Sequence, residues 1–108
     1  MFMLHGRLCA KPGLRDELLA VLEEADRAEP MPECRLYLIA VEETDSDGVW
    51  VTEVWESQQA HAAALQLEMI QERIARAGPL LDVAGSKQQR LDARAGVPGG
   101  TNHTREEG

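Results

Sequence analysis

Residues 34–56 read CRLYLIAVEETDSDGVWVTEVWE, and this stretch predicts a β-hairpin. Two runs rich in strand-forming side chains, Cys34–Glu42 and Val49–Glu56, flank the loop Glu43–Gly48. The loop is short and ends in Asp-Gly, a pair that favours tight turns between antiparallel strands. We therefore expect two adjacent strands here, and the neighbouring segments are placed around them.

The segment Met3–Ala10 predicts a strand with two different faces. Its residues alternate between two sets, Leu4, Gly6, Leu8 and Ala10 on one side and Met3, His5, Arg7 and Cys9 on the other. Lys11-Pro12-Gly13 then breaks the strand. The chain has to turn before its next element.

The segment from Leu14 to Ala25 predicts an amphipathic helix, because its apolar residues recur at intervals of three and four. Asp16 and Glu17 fall in the first turn, where carboxylates interact favourably with the helix dipole. Pro30-Met31-Pro32 prevents the helix from continuing into the hairpin.

After the hairpin, Ser57 can cap an alanine-rich helix, and a second helical pattern covers Leu67–Ala77. Gly78-Pro79 ends that pattern. Two short helices and one bent helix fit equally well. A polar stretch, Ser86–Ala95, is the candidate for a closing strand.

The element order β-α-β-β-α-β predicts an α+β fold of the ferredoxin-like type, with a four-stranded antiparallel sheet. We assign residues 1–95 to one domain of this kind. Residues 96–108 are rich in Gly, Pro, Thr and charged side chains, a composition typical of a flexible polar tail.

Charge and hydropathy exclude several classes of protein. A formal charge of −8 argues against a surface that neutralises nucleic-acid phosphates. The longest apolar runs fall far short of the roughly 20 residues of a membrane-spanning helix. The first ten residues lack a basic leader, so a cytoplasmic location is expected.

Cys9 and Cys34 are expected at opposite ends of the sheet as free thiols, which suits a reducing compartment.

The sequence lacks the common signatures of metal and nucleotide sites, since it contains no CxxC, HExxH, GxGxxG or Walker-type motif. Asp45 and Asp47 resemble a fragment of a calcium loop, but the later Glu ligand is missing and a turn explains both residues. We therefore expect neither a metal nor a nucleotide cofactor.

Glu53 is a carboxylate on an otherwise apolar strand face, where it needs a hydrogen-bonding partner or acquires a raised pKa. The first strand lies beside the third in this topology, so His5 and Arg7 are its expected partners. Two interpretations are open. Glu53 is either a structural ion pair or interface contact, or a general base or anion-stabilising group beside an aromatic ligand pocket.

The aromatic side chains Tyr37, Trp50 and Trp55 have a similar pair of interpretations. They belong either to the core and a dimer interface or to a ligand pocket. His61, on the helix after Ser57, is either a solvent-facing residue or a catalytic one.

Three motifs together resemble the antibiotic biosynthesis monooxygenase family, which includes small quinol monooxygenases. They are Lys11-Pro12-Gly13-Leu14-Arg15-Asp16-Glu17-Leu18, then Pro32-Glu33-Cys34-Arg35-Leu36-Tyr37, and then Glu53-Val54-Trp55-Glu56-Ser57 followed by Ala60. Glu53 and Trp55 match the family's Glu-x-Trp signature. The similarity covers about residues 3 to 95, and it rests on the order and spacing of these motifs.

This resemblance implies a homodimer in which two sheets face each other as an α+β barrel with the helices outside. It also implies oxidation of a small hydroxylated aromatic, such as a quinol or an anthrone, by molecular oxygen without metal or flavin. The protein supplies a dry aromatic pocket and stabilises the substrate anion. The candidate catalytic residues are His5, Glu53 and His61, and the candidate substrate-binding residues are Arg7, Tyr37, Trp55 and Ala64.

One departure from the family concerns Ala64, which stands where relatives commonly carry His. His61 lies three residues earlier on the helix and points about 60° away, so it replaces that His only if the helix shifts or rotates. Haem-degrading relatives use an aromatic and a His where this chain has Ala64 and Ile74, which disfavours haem degradation.

Two alternatives to a monooxygenase are open. One is a non-catalytic dimeric ligand-binding or stress-associated domain, and the other is an isomerase or lyase acting on a small hydroxy-ketone.

Overall fold

A computed structural model describes residues 1–27 and 31–96 of the protein. Its elements follow the order that the sequence predicts. They are β1 (Phe2–Ala10), α1 (Arg15–Arg27), β2 (Cys34–Val41), β3 (Gly48–Trp55), α2 (Gln58–Ala64), α3 (Glu68–Ala77), a 3-10 turn (Gly78–Leu80) and β4 (Leu81–Asp92).

The strands form one four-stranded sheet in the order β2-β3-β1-β4, and each neighbouring pair is antiparallel. The first strand therefore lies beside the third, as expected. This arrangement confirms the ferredoxin-like α+β fold.

The turn between β1 and α1 has the geometry that Pro-Gly favours. The amide of Leu14 donates to the carbonyl of Lys11 at 2.9 Å, and Gly13 has a φ of +80°. Proline presets the second position of such a turn, and a positive φ at the third position favours glycine. The predicted break after β1 is confirmed, and α1 ends at Arg27, before Pro30.

The hairpin is also confirmed, with Val41 paired to Val49 at its closed end. Asp45 Oδ1 accepts a hydrogen bond from the amide of Asp47 at 2.9 Å, and the amide of Gly48 donates to the Asp45 carbonyl at 3.2 Å. Asp45 therefore stabilises the turn through its side chain as well as its backbone.

The alanine-rich region forms two short helices, which settles the choice between two helices and one bent helix. Ser57 Oγ accepts a hydrogen bond from the amide of Ala60 at 3.0 Å and caps α2, as predicted. Leu65 to Leu67 separate α2 from α3. Across this break, α2 contacts β3 whereas α3 contacts α1.

The closing strand begins earlier than the predicted Ser86–Ala95, because β4 covers Leu81–Asp92. Leu81 pairs with Ala10 and joins the core, so pairing extends toward the 3-10 turn. A register shift interrupts the β1–β4 ladder opposite Cys9. There, Ser86 Oγ accepts a hydrogen bond from the Cys9 amide at 3.0 Å and donates one to the Asp82 carbonyl at 2.9 Å. The Ser86 side chain therefore stabilises the strand where its regular pairing is interrupted.

The helices cover one face of the sheet, and the core lies between them. Leu18 of α1 and Val49 of β3 are fully buried there. Complete burial of such a side chain stabilises the fold by about 1.5–3 kcal/mol. We call the opposite side of the sheet the open face. It carries Met3, His5 and Arg7 of β1 and the residues paired with them on β3, namely Val54, Thr52 and Trp50.

Candidate functional site

The strand register separates the candidate residues into two groups. Leu4 is the β1 residue opposite Glu53, whereas His5 is opposite Thr52 and Arg7 is opposite Trp50. Because paired residues point to the same face, Glu53 faces the helices while His5 and Arg7 lie on the open face. The expected partnership of Glu53 with His5 and Arg7 is therefore wrong.

Arg7 ties β1 to the hairpin instead. Its guanidinium donates to both carboxylate oxygens of Glu42, at 2.9 and 3.0 Å, and to Asp45 Oδ2 at 2.7 Å. Trp50 Nε1 also donates to Glu42 Oε2 at 2.8 Å. The hydrogen bonds from Arg7 and Trp50 lower the pKa of Glu42, and the bond to Glu42 raises the pKa of Arg7.

His5 is held by its neighbours on the open face. Its Nδ1 lies 2.9 Å from Thr52 Oγ1, and its ring stacks on Trp50 with 5.1 Å between centroids. Neither His5 nor Arg7 lines the cavity described next. Their assignment to catalysis and substrate binding remains a prediction that the geometry of this chain does not favour.

A cavity of about 440 Å³ lies between the sheet and the helices. This volume is within the range of small-molecule sites. Much of the lining is apolar and includes Leu8, Leu22, Val51, Ile70 and Ile74. Polar side chains also line it, namely Cys34, Arg35, Tyr37, Glu53, His61, Arg73 and Gln88.

Glu53 and Trp55 lie two residues apart on β3, so both face the cavity. Trp55 Nε1 donates to Glu53 Oε1 at 2.9 Å, and Trp55 is 5% exposed. The second carboxylate oxygen of Glu53 makes no hydrogen bond to any of the described residues. The Glu-x-Trp pair therefore presents a positioned carboxylate with one free acceptor oxygen.

His61 is brought to the same end of the cavity by α2. Its ring centroid lies 5.3 Å from that of Trp55 and 5.4 Å from that of Phe2. Ala64 is buried and also lines the cavity. Both side chains reach the cavity without a shift of the helix, because residues three apart are neighbours on its surface.

Tyr37 is the cross-strand neighbour of Glu53 in the register of β2 and β3. Burial, and then the nearby Glu53 carboxylate, raise the pKa of Tyr37 to about 12. Its hydroxyl therefore keeps its proton at neutral pH. No side chain or backbone group in residues 1–27 and 31–96 is hydrogen-bonded to this hydroxyl, so it is available as a donor to a ligand.

Arg73 is a cavity residue that the sequence analysis missed. It belongs to α3, and its side chain is only 13% exposed. Its Nε is buried with no hydrogen-bond partner among the described residues. A signal was present in the sequence: Arg73 lies three residues after Ile70 and four before Ala77, so a cation falls within the apolar stripe of the helix.

The two cysteines are free and lie at opposite ends of the sheet, as predicted. Cys9 pairs with Gly48 at one end of β3, and Cys34 pairs with Trp55 at the other. Cys34 lines the cavity, where burial and then Glu53 raise the pKa of its thiol. This environment therefore disfavours the thiolate form of Cys34.

Within the described part of the chain, no cluster of three or more His, Cys, Asp or Glu side chains has the arrangement of a metal site. None of the helices in these ranges has the length and apolar character needed to cross a membrane.

The fold and the cavity define a small ferredoxin-like domain with a ligand-sized site between sheet and helices. Residues 1–76 match the family described as antibiotic biosynthesis monooxygenase. The chain belongs to this family. No curated protein matches the sequence.

Solved structures agree with this membership. A protein from Chloroflexus aurantiacus, assigned as an antibiotic biosynthesis monooxygenase, is 36% identical, with 89% of this chain and 97% of that chain covered and a TM-score of 0.70. Two others with the same assignment share the fold. The Deinococcus radiodurans protein is 24% identical, with coverages of 90% and 96% and a TM-score of 0.71. The Caulobacter crescentus protein is 21% identical, with coverages of 87% and 90% and a TM-score of 0.75.

Proposed function

We propose that the protein is a monooxygenase that oxidises a small hydroxylated aromatic, of the quinol or anthrone type, with molecular oxygen and without metal or flavin. One observation carries the proposal. A largely apolar cavity of about 440 Å³ contains the Glu53 carboxylate beside Trp55, His61 and Tyr37, in a member of this family.

In the proposed reaction, the free oxygen of Glu53 accepts the proton of the substrate hydroxyl. The Tyr37 hydroxyl donates a hydrogen bond to the resulting anion and stabilises it. The anion passes one electron to oxygen, and the radical pair recombines within the largely apolar cavity. For a hydroquinone, substrate and O2 give a hydroxyquinone and water, so the substrate supplies both electrons that reduce the second oxygen atom.

The test begins with anaerobic mixing of purified, metal-free protein with a panel of quinols and anthrones. Oxygen is then admitted, and its uptake is measured. We expect one O2 consumed per substrate oxidised, and a rate about 100-fold or more lower in Glu53→Gln, because a positioned general base contributes at least this factor. Glu43→Gln removes an exposed carboxylate of the hairpin loop and is expected to keep the rate of the unmodified protein. Oxidation of every substrate at only the uncatalysed rate would overturn the proposal.

A non-catalytic ligand-binding domain is the second candidate, and Ala64 favours it. Ala64 lines the cavity at the position where the family resemblance implies a His. This alternative predicts that an aromatic ligand quenches the fluorescence of Trp55 with high affinity, while oxygen uptake stays at the uncatalysed rate in both the unmodified protein and Glu53→Gln.

We also propose that the protein is a homodimer whose sheets meet through their open faces. The described helices cover the other face, while Leu38 and Leu91 on the open face are 54% and 42% exposed. Contact between two copies would remove this apolar surface from water. We propose a cytoplasmic location as well, which the free thiols of Cys9 and Cys34 support.

A further inference from the structure

We infer that the cavity takes an aromatic acid, whose carboxylate or equivalent oxyanion binds Arg73. Arg73 projects from α3 among the apolar residues that line the cavity, and 13% of its side chain is exposed. A guanidinium is rarely buried to this extent unless it is paired.

The pairing of Arg73 within the protein is incomplete. Within the part of the chain that the structure describes, Glu24 Oε1 lies 4.0 Å from Arg73 Nε, which is beyond hydrogen-bond distance. Arg76 donates to both oxygens of the same carboxylate, one of them at 2.7 Å. Two guanidinium groups thus share Glu24, and Arg73 Nε has no hydrogen-bond partner in residues 1–27 and 31–96. An oxyanion in the cavity would complete the bonding of Arg73.

The position of Tyr37 extends the inference to the shape of the ligand. Tyr37 lies within electrostatic reach of both Glu53, its cross-strand neighbour, and Arg73. The cavity therefore holds a carboxylate acceptor and a cationic donor, and all three side chains line it. This arrangement suits an aromatic that carries a hydroxyl for Glu53 and an acidic group for Arg73. A hydroxylated benzoate is the simplest member of the class.

The oxidation of such an acid rests on the proposed function, but its binding does not. We therefore test binding anaerobically with 2,5-dihydroxybenzoate and with its methyl ester, a neutral hydroquinone of similar size. Quenching of tryptophan fluorescence and calorimetry at pH 7 report the two affinities. We expect the acid to bind about tenfold or more tightly than the ester, since one charge-assisted hydrogen bond contributes at least this factor.

Variants separate recognition of the charge from a structural role of Arg73. Arg73→Gln is expected to bring the acid-to-ester ratio of affinities close to one, with the affinity for the ester little changed. Arg73→Lys retains part of the preference. Arg94→Gln, at an exposed position after β4, retains all of it. Circular dichroism and thermal unfolding establish that each variant is folded. A uniform loss of active protein does not change the acid-to-ester ratio of affinities.

Equal affinities for acid and ester, an unchanged ratio in Arg73→Gln, or no binding of the acid would each overturn the inference. Oxygen uptake distinguishes this failure from that of the proposed function. Oxidation of the ester without preference for the acid would retain the monooxygenase and reject the Arg73 subsite. Selective binding of the acid without oxidation would retain the subsite and favour the ligand-binding alternative.

Discussion

Gly6 shows how closely two backbones approach at one residue of the sheet. A Cβ atom at this position would lie 2.5 Å from the carbonyl oxygen of Lys87 and 2.8 Å from the Cα of Gln88. Both atoms belong to the backbone of β4, so they cannot move away as the end of a side chain can. Gly6 also lines the cavity, so β1 is both an inner strand of the sheet and part of the site.

We therefore predict that Gly6→Ala lowers the free energy of unfolding by about 1–3 kcal/mol, the usual cost of forcing an extra methyl into a filled space. Urea denaturation monitored by circular dichroism measures the change. Gly78→Ala is the matched control, since nothing lies within 4 Å of its Cβ position, and its stability is expected to stay near that of the unmodified protein. Equal stabilities for the two variants would contradict the close approach of β1 and β4.

Two other residues, Tyr37 and Cys34, have raised pKa values because they are buried beside the Glu53 carboxylate. Burial and then Glu53 raise the pKa of Tyr37 to about 12, so the environment further disfavours its phenolate form. Cys34 shares this environment, and the pKa of its thiol is raised for the same two reasons. The cavity thus holds two neutral donors, the Tyr37 hydroxyl and the Cys34 thiol, near the Glu53 carboxylate.

At the scale of elements, the hairpin of β2 and β3 is fastened to β1 from the open face. Arg7 links Glu42 and Asp45 to β1, and Arg15 of α1 donates to the carbonyl oxygens of Glu42 and Asp45 at 3.2 and 3.1 Å. Glu42 is the shared carboxylate of this network, because Trp50 binds it as well. Its charge therefore contributes to the stability of the hairpin.

We predict that the destabilisation caused by Glu42→Gln is larger at pH 7 than at pH 3. The folded protein lowers the pKa of Glu42 below its ordinary value of 4.5, so the stabilisation is present above that value. It is lost as the pH falls through the lowered pKa, because the carboxylate is then protonated in both states. Urea denaturation at the two pH values measures this difference.

Glu43→Gln is the control for this prediction. Glu43 is the next residue in the loop and is exposed, so its removal is expected to leave the pH dependence of stability unchanged. If Glu42→Gln lowered the free energy of unfolding equally at pH 7 and pH 3, the charge of Glu42 would not contribute to the stability of the hairpin.

At the scale of the whole molecule, the sheet has two unlike sides. One side, with the helices, encloses the cavity, and the other presents the Arg7 network together with exposed apolar residues such as Leu38 and Leu91. We propose that the first side takes a ligand and that the second contacts another copy of the chain.

We predict a dimer in sedimentation at micromolar concentration, and a shift toward the monomer in Leu38→Lys. The lysine would place a charge in the proposed contact, opposite Thr52 on the open face. Leu67→Lys is the control, because Leu67 is similarly exposed but lies between the helices α2 and α3. A monomeric unmodified protein, or equal effects of the two substitutions, would contradict the open face as the interface.

The order of the elements was predictable from the sequence because it depends on local signals. Alternation marked β1, Pro12-Gly13 marked the turn, and Ser57 marked the start of α2. The last strand was displaced in the prediction because its start depends on Leu81, whose burial comes from pairing with Ala10 of the distant β1. The tail beyond Gly96 lies outside the described residues.

The site was predictable only in part, for a physical reason. Of the seven candidate residues named from the sequence, five line the cavity, namely Tyr37, Glu53, Trp55, His61 and Ala64. The register of β1 against β3 decided that His5 and Arg7 lie on the other face, because a displacement of one residue reverses every side chain of a strand. The position of α3 over the sheet placed Arg73 at the cavity. The sequence determined which residues share an element, and only the tertiary structure decided which elements bring their residues together.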